Sequence, residues 1–392
     1  MIETVAVEGY RTLRELVVEL GQLTVVTGAN GSGKSNFFRA LRLLAACGQG
    51  RVVGALAAEG GLPSTLWAGP QHGTRPGGVA QGTRRTAPVA LRLGFSGPDL
   101  GYAIDLGLPQ TALASPFALD PEIKTESVWS GGVLRTATLQ AERRNGHVRT
   151  RDDGGGWTSE GRNLRTSESM IDEFVDDTGA PEMLRVRRGL RDWRFYDQFR
   201  TDPLSPARSA QVGTQTPVLA DDGADLAAAL ETIRWMTADG ALERAVDDAF
   251  PGSTLEITSD AGLFRLALHQ PGLLRPLSTA ELSDGTLRYL LLLAALGSPR
   301  PPELLVLNEP ETSLHPDLLP ALARLVLTSA ERTQTILVTH SQILLDSLEE
   351  ERRALRWKHT VERVHLVKSL GETGVDGREG PLDSPRWAWA KR

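Results

Sequence analysis

The hydrophobic and polar positions at the start of the chain alternate with the period of β-strands. Residues 2–27 contain three such stretches, at 5–7, 16–20 and 23–26, and the alternation predicts three strands. Apolar residues then recur with helical spacing over residues 35–44. This change of period predicts a helix directly after the third strand.

The next part of the chain carries weaker patterns. Residues 50–87 are rich in Gly, Thr, Pro and Arg and predict a loop excursion. Short alternating stretches at 89–108 and 128–148 predict an antiparallel sheet. Helical patterns at 167–178 and 226–250 flank an irregular piece rich in Arg, Asp and Pro.

The C-terminal part returns to regular patterns. Its predicted elements are strand-like alternation at 255–268, a helix at about 284–296, a strand at 304–307, a helix near 318–330, a strand at 335–339 followed by a short helix, and a last strand at 361–367. These changes of character predict four segments: an N-terminal lobe (1–162), a helical or irregular insertion (163–252), a C-terminal lobe (253–370) and a tail (371–392).

Composition limits the classes of protein that fit. The 392 residues are 40% hydrophobic and 23% charged, which is typical of a soluble globular chain. A net charge of −6 argues against a protein that binds polyanions over its whole surface. One cysteine, Cys47, excludes an intramolecular disulfide. No signal peptide is recognisable, and the longest apolar run, 289–296, is too short to span a membrane, so we expect a cytoplasmic protein.

Residues 28–35 read Gly-Ala-Asn-Gly-Ser-Gly-Lys-Ser and fit the phosphate-loop pattern G-x-x-x-x-G-K-[ST]. They follow a predicted strand and precede a predicted helix, which is the context that the motif requires. Lys34 would reach the β- and γ-phosphates of ATP, and the Ser35 hydroxyl would ligate Mg²⁺. The predicted nucleotide contacts of this segment are Asn30, Gly31, Ser32, Gly33, Lys34, Ser35 and Asn36.

The apolar strand at 304–307 runs into Asn308 and Glu309. Open α/β sheets place their chemistry at the carboxyl ends of strands. ATP hydrolysis needs a carboxylate that orients the attacking water, and Glu309 is the predicted general base. Asn308 stands on the metal side, where an Asp is usual. Its amide can still accept a hydrogen bond from a metal-bound water.

Two further motifs flank this strand. Leu282-Ser283-Asp284-Gly285 opens a predicted helix, and Ser283 is either a helix N-cap or, with the Gly285 amide, a second phosphate-binding edge. His340 ends the strand at 335–339 and would act as a hydrogen-bonding sensor of the γ-phosphate. His315, which precedes Pro316, is open between a helix start and a functional residue.

These motifs, in this order, resemble the ABC-type ATPase heads of the RecF, SMC and OLD-nuclease group. The resemblance implies an α/β P-loop NTPase of ABC/RecF type, with a mixed core sheet, an antiparallel β subdomain and a helical or irregular insertion. It makes 283–285 the signature motif, 311–315 the D-loop and His340 the switch histidine. A closer resemblance, to the compact bacterial "predicted AAA family ATPase" proteins, rests on residues 193–202 and 308–316.

The resemblance also carries implications about assembly and ligands. It implies a homodimer that sandwiches ATP and Mg²⁺, with the phosphate loop of one subunit facing the signature motif of the other. Arg11 becomes a candidate adenine or phosphate contact. The group's glutamine loop is not placed by the sequence, because Gln110, Gln140 and Gln198 are all available.

A stretch of arginines raises the question of DNA as a partner. Trp193, Phe195 and Tyr196 are interleaved with these cations, a combination that suits phosphate contacts and base stacking. The alternative is an ion-paired face or a dimer surface, because Asp192, Asp197 and Asp202 lie in the same stretch. The arginines are Arg185, Arg187, Arg188, Arg191, Arg194, Arg200 and Arg208.

Two functions therefore fit the sequence. The first is a Mg²⁺-dependent ATPase whose hydrolysis resets an ATP-closed dimer, acting in DNA repair, DNA maintenance or defence. The second is a nucleotide-gated switch or sensor that relays its state to a partner protein without processing DNA. A transporter ATPase subunit fits less well, because such subunits are usually shorter and lack the insertion at 163–248.

Overall fold

The fold follows from a computed structural model of the chain. It describes residues 1–69, 90–109, 116–117, 119–152, 154–174, 180–237, 239–378 and 383–392, without the side chains of 160–162. Residues 70–87 of the loop predicted at 50–87, residues 175–178 of the helix predicted at 167–178, and the glutamine-loop candidate Gln110 lie outside the described residues. The described chain divides into two units. Unit 1 comprises Met1–Trp193 and Glu362–Arg392, and unit 2 comprises Arg194–Val361.

In the described part of unit 1, eight strands form an antiparallel sheet in the order β2-β1-β4-β5-β6-β7-β8-β9. The alternating stretches predicted at 5–7, 16–20, 89–108 and 128–148 thus belong to one sheet. Its strands are β1 (Thr4–Tyr10), β2 (Leu13–Glu19), β4 (Leu91–Ser96), β5 (Leu100–Gly107), β6 (Glu122–Ser130), β7 (Leu139–Arg144), β8 (His147–Arg151) and β9 (Trp157–Asn163).

The remaining strands of unit 1 support the phosphate loop. Strand β3 (Leu23–Gly28) lies beside β17 (Val361–Ser369), which pairs antiparallel with β18 (Glu372–Val375). The strand β18 falls in the segment predicted to be a tail. Its Gly-rich composition hides a hairpin in which Gly371, at φ 87°, makes the turn.

The helices of unit 1 pack their apolar sides inward. Helix α1 buries Phe37, Phe38 and Leu41, as its helical spacing predicts. Helix α5 occupies a segment that the sequence presents as irregular. It begins at Pro181, which suits the first helical position, and it buries Met183 and Leu190 on one face. The helices are α1 (Lys34–Cys47), α2 (Val52–Ala58), α3 (Leu62–Thr65), α4 (Met170–Glu173) and α5 (Pro181–Asp192).

In unit 2, the described residues contain two groups of strands. Strands β10, β15 and β16 are parallel, with β15 in the middle. Strands β11, β13 and β12 are antiparallel, and β14 pairs with β13. Their bounds are β10 (Arg194–Tyr196), β11 (Gln211–Val212), β12 (Thr254–Asp260), β13 (Leu263–His269), β14 (Leu277–Ser278), β15 (Leu304–Asn308) and β16 (Gln334–Val338).

The helices of unit 2 follow the predicted pattern with one break. The single helix expected over 226–250 is two helices, because the chain turns at Gly240, whose φ of 71° favours glycine. The helices are α6 (Leu226–Met236), α7 (Ala241–Ala249), α8 (Asp284–Leu296), α9 (Leu319–Ala330) and α10 (Gln342–Ala354). Within the described ranges, no helix is long and apolar enough to cross a membrane.

Candidate functional site

The phosphate loop of unit 1 connects β3 to α1. Gly28 and Gly33 have φ angles of 149° and 113°, a region that side chains disfavour, and this lets the backbone fold back on itself. Lys34 is buried, and its Nζ donates to the carbonyl oxygens of Gly28 at 2.7 Å and Ala29 at 3.2 Å. No side chain caps α1, so its first N–H groups are available to an anion.

A set of hydroxyls and an amide fixes this loop from behind. The Thr373 hydroxyl donates to the carbonyl oxygen of Ser32 at 2.8 Å and lies 2.8 Å from the Thr12 hydroxyl. The Asn36 side chain donates to Thr12 at 2.8 Å. The structure therefore places Asn36 in the support of the loop, while Asn30 and Ser35 are exposed. The buried Ser32 hydroxyl has no partner among the described residues.

Arg11 lies at the turn between β1 and β2, next to Thr12. Its φ of 49° is unusual for a side-chain-bearing residue. Its guanidinium pairs with Glu59 at 2.8 Å, and Tyr10 donates to the same carboxylate at 2.5 Å. Burial raises the pKa of Tyr10, and the bond to Glu59 adds to that rise. The predicted nucleotide contact thus forms an ion pair within unit 1.

In unit 2, Glu309 and His340 meet at the carboxyl ends of β15 and β16. The Glu309 carboxylate lies 3.3 Å from the His340 Nδ1. The Glu309 backbone N–H donates to the carbonyl oxygen of Val338 at 2.8 Å, although its φ is 47°. Such a conformation costs about 1–2 kcal/mol in an L-residue and is common at functional sites. The register of the two strands therefore brings the predicted base and the predicted sensor together.

Glu311, which the sequence indicated only as the start of the D-loop, lies beside the end of β16. Its Oε1 accepts from the Thr339 hydroxyl at 2.5 Å and from the His340 backbone N–H at 3.3 Å. Its other oxygen, Oε2, is buried and has no partner among the described residues. Glu311 thus holds the end of β16 that carries His340.

Asn308 and Asp197 form a second pair at these strand ends. The Asn308 side chain donates to Asp197 Oδ1 at 2.8 Å. The buried Arg288 of α8 lies nearby, and its Nε and Nη2 have no hydrogen-bond partner among the described residues. Burial lowers the pKa of Arg288, and the charges of Asp197 and Glu311 oppose that shift. The strand ends of unit 2 therefore combine several acids with one buried cation.

The signature segment opens α8. The Ser283 hydroxyl accepts from the Thr286 N–H at 3.1 Å, so it is the helix N-cap. A Cβ at Gly285 would lie 3.0 Å from the carbonyl oxygen of Ser313, and only a residue with no side chain fits this approach without a shift. An open groove of about 590 Å³ lies before the helix, lined by Ser283, Gly285, Ser313 and His315 among others.

His315 caps the turn that precedes α9. Its Nδ1 accepts from the Asp317 N–H at 3.4 Å, at the start of a 3₁₀ turn, Pro316–Leu318. The prediction that Pro316 marks a helix start is thereby confirmed. The His315 side chain is mostly exposed.

Arg208 holds the loop before the signature helix, a role that the sequence did not indicate. Its guanidinium donates to the carbonyl oxygens of Thr279 and Leu282, both at 2.8 Å, and to the Asp284 carboxylate at 2.7 Å. It also bonds the carbonyl oxygen of Thr201. A buried fork of donors therefore fixes both sides of this loop.

The arginine stretch contains four side chains that are ion-paired. Trp193 and Tyr196 are buried, so neither presents a ring for base stacking. Arg185 and Arg188 are exposed. These facts favour the ion-paired alternative for this stretch. The pairs are Arg187–Asp172, Arg191–Asp172, Arg200–Asp202 and Arg208–Asp284.

The side-chain oxygens of Asn308 and Asp197 in unit 2 suit a hard cation such as Mg²⁺. Mg²⁺ in nucleotide sites is held by one or two protein oxygens together with phosphates and water. The Ser35 hydroxyl of unit 1 is exposed and is itself a hard oxygen donor. No group of three or more His, Cys, Asp or Glu within the described ranges could hold a metal ion alone. The residues present therefore fit a cation that arrives with a nucleotide.

The part of the chain that carries these residues matches a known protein family. The profile of the family described as "AAA domain, putative AbiEii toxin, Type IV TA system" matches residues 23–346, more than half of the chain. The chain belongs to this AAA-domain family. The matched region runs from β3, before the phosphate loop, through Glu309 and His340. The expected α/β P-loop NTPase fold is thereby confirmed for this AAA domain, and ATP binding is its family property.

Solved structures similar to the AAA domain include three SMC heads. One, an SMC head bound to the C-winged helix domain of ScpA, shows 13% identity and a TM-score of 0.47 over 95% of this chain and 97% of that one. The SMC head domain from Thermotoga maritima shows 12% identity and a TM-score of 0.44 over 95% of this chain and 97% of that one. An SMC head with an extended coiled coil, bound to the C-terminal domain of ScpA from Pyrococcus furiosus, shows 13% identity and a TM-score of 0.48 over 95% of each chain. No curated protein matches the chain.

The glutamine-loop candidates separate in the structure. Gln140 lies on β7 in unit 1, where its side chain donates to Ser130 at 3.0 Å. Gln198 is exposed in unit 2, one residue after Asp197 and just beyond β10. Of the two described candidates, Gln198 alone adjoins the strand ends that carry Glu309 and His340.

Proposed function

We propose that the AAA domain binds ATP with Mg²⁺ and hydrolyses it to ADP and phosphate, with Glu309 as the general base. The observation that supports this most directly is the 3.3 Å contact between Glu309 and His340 at the ends of two parallel strands. A carboxylate held by a neighbouring imidazole is a suitable acceptor for the proton of an attacking water. The strained backbone of Glu309 is consistent with a catalytic position.

The chemistry assigns one role to each residue. Glu309 takes a proton from water as the water oxygen attacks the γ-phosphorus, and the bond from that phosphorus to the β–γ bridging oxygen breaks. Lys34 exchanges its bonds to Gly28 and Ala29 for phosphate oxygens. His340 donates a hydrogen bond to the γ-phosphate. Ser35 and Asn308 would each contact a bound Mg²⁺, and the ion would offset charge on the phosphate oxygens.

The proposal includes an ATP-sandwiched homodimer. The N-terminus of α8, with Ser283 and the Gly285 amide, lies open at the groove and would meet the nucleotide of the partner subunit. Ser283 can serve as the N-cap and still present its hydroxyl to a phosphate. Because each site then needs two subunits, the dimer should depend on bound ATP.

The experiment is the Glu309→Gln variant. We expect its turnover to fall about 10²–10⁴-fold, the usual contribution of general acid–base catalysis, while ATP binding persists. Size-exclusion chromatography with light scattering should then show an ATP-dependent dimer. Glu331→Gln, an exposed residue at the end of α9, is the matched control. Wild-type turnover in Glu309→Gln would show that the base is another residue.

We extend the proposal to a role in DNA maintenance or defence within the cytoplasm. A role in defence is supported by the description of the family, which includes a putative toxin of a type IV toxin–antitoxin system. ATPase rates with and without double-stranded DNA, at low and high salt, test the DNA side, because electrostatic binding weakens steeply with salt. Dimer formation without DNA stimulation would instead favour a nucleotide-gated switch that acts on a partner protein.

A further inference from the structure

Position 308 carries a neutral amide where a metal-side carboxylate is expected. Asn308 ends β15, directly before the proposed base Glu309. Mg²⁺ prefers hard oxygen donors, and a carboxylate attracts it by charge as well as by its lone pairs. An amide oxygen supplies the lone pair without the charge. The site therefore lacks an anionic group at the position where the strand would normally provide it.

The neighbouring strand places a carboxylate beside this amide. Strand β10 runs parallel to β15, with Tyr196 in register with Leu307. The next residue along each strand is therefore Asp197 on β10 and Asn308 on β15. The Asn308 amide donates to Asp197 Oδ1 at 2.8 Å, which ties the two side chains together.

This bond sets the direction of both side chains. Because the NH₂ group of Asn308 faces Asp197, its carbonyl oxygen faces away and remains an acceptor. Asp197 is exposed, and no second hydrogen bond to its carboxylate is present among the described residues. The pair thus offers one amide oxygen and one carboxylate oxygen at adjacent strand ends.

Two buried groups at the same strand ends point to a ligand. The Glu311 Oε2 and two nitrogens of Arg288 are buried without partners in the part of the chain that the structure describes. Buried polar atoms left unpaired cost free energy and are rare in folded proteins. The charges of Asp197 and Glu311 both act on Arg288. Asp197 is therefore part of this acidic group at the strand ends.

We propose that Asp197 is the metal-side carboxylate of this AAA domain, and that Asn308 positions it. Asp197, at the end of the adjacent strand, supplies the negative charge that is usual at position 308. This inference rests on the proposed Mg²⁺-dependent binding of ATP. It names the residue that gives the cation its charged protein contact.

The test measures how Mg²⁺ supports nucleotide binding, without hydrolysis. The affinity for ATPγS is measured by calorimetry in EDTA and over a range of Mg²⁺ concentrations. Asp197→Asn should raise the Mg²⁺ concentration for half-maximal binding about 10–100-fold, the usual effect of losing a group close to a metal. Binding in EDTA should stay unchanged. Asp202→Asn, which removes another exposed carboxylate five residues later, should leave the midpoint at the wild-type value.

The exchanged variant Asp197→Asn/Asn308→Asp decides the matter. It keeps the hydrogen bond and the net charge while returning the carboxylate to position 308, so its Mg²⁺ midpoint should lie within about threefold of wild type. It also serves if Asp197→Asn alone fails to fold, as judged by its melting temperature. An unchanged midpoint in Asp197→Asn, or no recovery in a folded exchanged variant, would overturn the inference and leave the ATPase intact. Absence of ATPγS binding by the wild type would instead overturn the proposed function.

Discussion

The phosphate loop of unit 1 and the acidic strand ends of unit 2 present polar groups by opposite routes. The loop consists of eight consecutive residues, 28–35, and the positive φ angles of its glycines set its conformation. The strand ends combine Asp197, Glu309 and His340, which are distant in sequence and meet through the register of three parallel strands. A contiguous motif can be recognised from its letters, whereas an assembled one needs the fold.

The two regions also differ in how they are supported. Thr373 reaches the phosphate loop from β18, at the far end of the chain. The strand ends are supported from within unit 2, by Glu311 on Thr339 and His340. A substitution in the loop should therefore act on nucleotide binding directly. Substitution of Glu311 should instead act through the position of its neighbour His340.

Within the phosphate loop, the largest expected effect is that of Lys34→Ala. Its amine is buried against two carbonyl oxygens of the loop, and it is the one side chain of that loop that carries a positive charge. Losing a preorganised charged donor should reduce turnover on the order of 10²–10³-fold and weaken ATP binding. Isothermal calorimetry and a phosphate-release assay measure the two effects. Lys358→Ala, an exposed lysine of unit 2, is the control.

If Lys34→Ala binds ATP with wild-type affinity, the loop does not recognise phosphate through this amine. The contrast with the strand ends would then disappear, because neither region would act through a single dominant group.

The second prediction concerns the backbone of the loop. Gly33 has a φ of 113°, and a Cβ there would overlap the Thr373 hydroxyl. Gly33→Ala should lower the free energy of unfolding by about 3 kcal/mol, through backbone strain and the steric clash. Gly31→Ala is the matched control, since its φ is 79° but a Cβ would meet nothing within 4 Å. It should cost only about 1 kcal/mol.

Urea unfolding followed by fluorescence measures both variants. Thr373→Ala in the Gly33→Ala background should recover part of the loss, because it removes the hydroxyl in the way. Equal losses in the two glycine variants would mean that strain alone, without the contact to β18, decides the conformation of the loop.

The sequence predicted the contiguous features well. The helix over 284–296 was predicted with the bounds that α8 has, and the apolar strand before Glu309 differs by one residue. These segments are long, strongly apolar and bounded by clear turn residues, so their local pattern is sufficient. The phosphate loop was predicted because residues 28–35 form a contiguous motif between a predicted strand and a predicted helix.

The features that the sequence missed depend on distant partners. Helix α5 carries five charged arginines and aspartates around a narrow apolar face, so its composition resembles an irregular segment. Arg208 belongs by sequence to a basic stretch, yet its partners are the carbonyl oxygens of a loop some seventy residues later. No local pattern contains that information, because the donor and the acceptors meet only in the folded chain.

The third prediction contrasts two arginines of that stretch. Arg208→Ala removes a buried guanidinium and leaves the carbonyl oxygens of Thr279 and Leu282 without their donor. The free energy of unfolding should fall by about 2 kcal/mol, because hydrogen bonds from a charged donor are among the stronger ones. Arg200→Ala, whose ion pair with Asp202 is exposed and screened by solvent, should leave it almost unchanged.

Hydrogen exchange shows whether the effect is local. In Arg208→Ala, amides of the segment 279–287 should exchange faster, while those of α9 stay protected. If Arg200→Ala is as destabilising as Arg208→Ala, the difference between a buried clamp and a surface ion pair does not hold here.

The smallest expected effect is the pH dependence of Glu281, in the same loop before α8. Its carboxylate accepts from Arg275 at 2.6 Å and from the Ser278 backbone N–H at 3.0 Å, and these bonds, the first above all, lower its pKa from 4.5 to about 2. Because the folded pKa is depressed, the stabilisation is complete above pH 4.5 and is lost as the pH falls towards 2. The side chain is exposed, so the effect should be small.

The measurement is the melting temperature of wild type and Glu281→Gln across this range. The difference in melting temperature between them should be constant at neutral pH and should shrink below pH 4.5. In that range the carboxyl of Glu281 is protonated in the unfolded chain before it is protonated in the folded one, and this proton uptake stabilises the unfolded state. Glu331→Gln, outside this loop, should show no such change. If this difference in melting temperature is the same at pH 3 and pH 6, the charge of Glu281 does not contribute to its contacts with Arg275 and Ser278. The loop before the signature helix would then resemble the phosphate loop, because both would depend on backbone geometry.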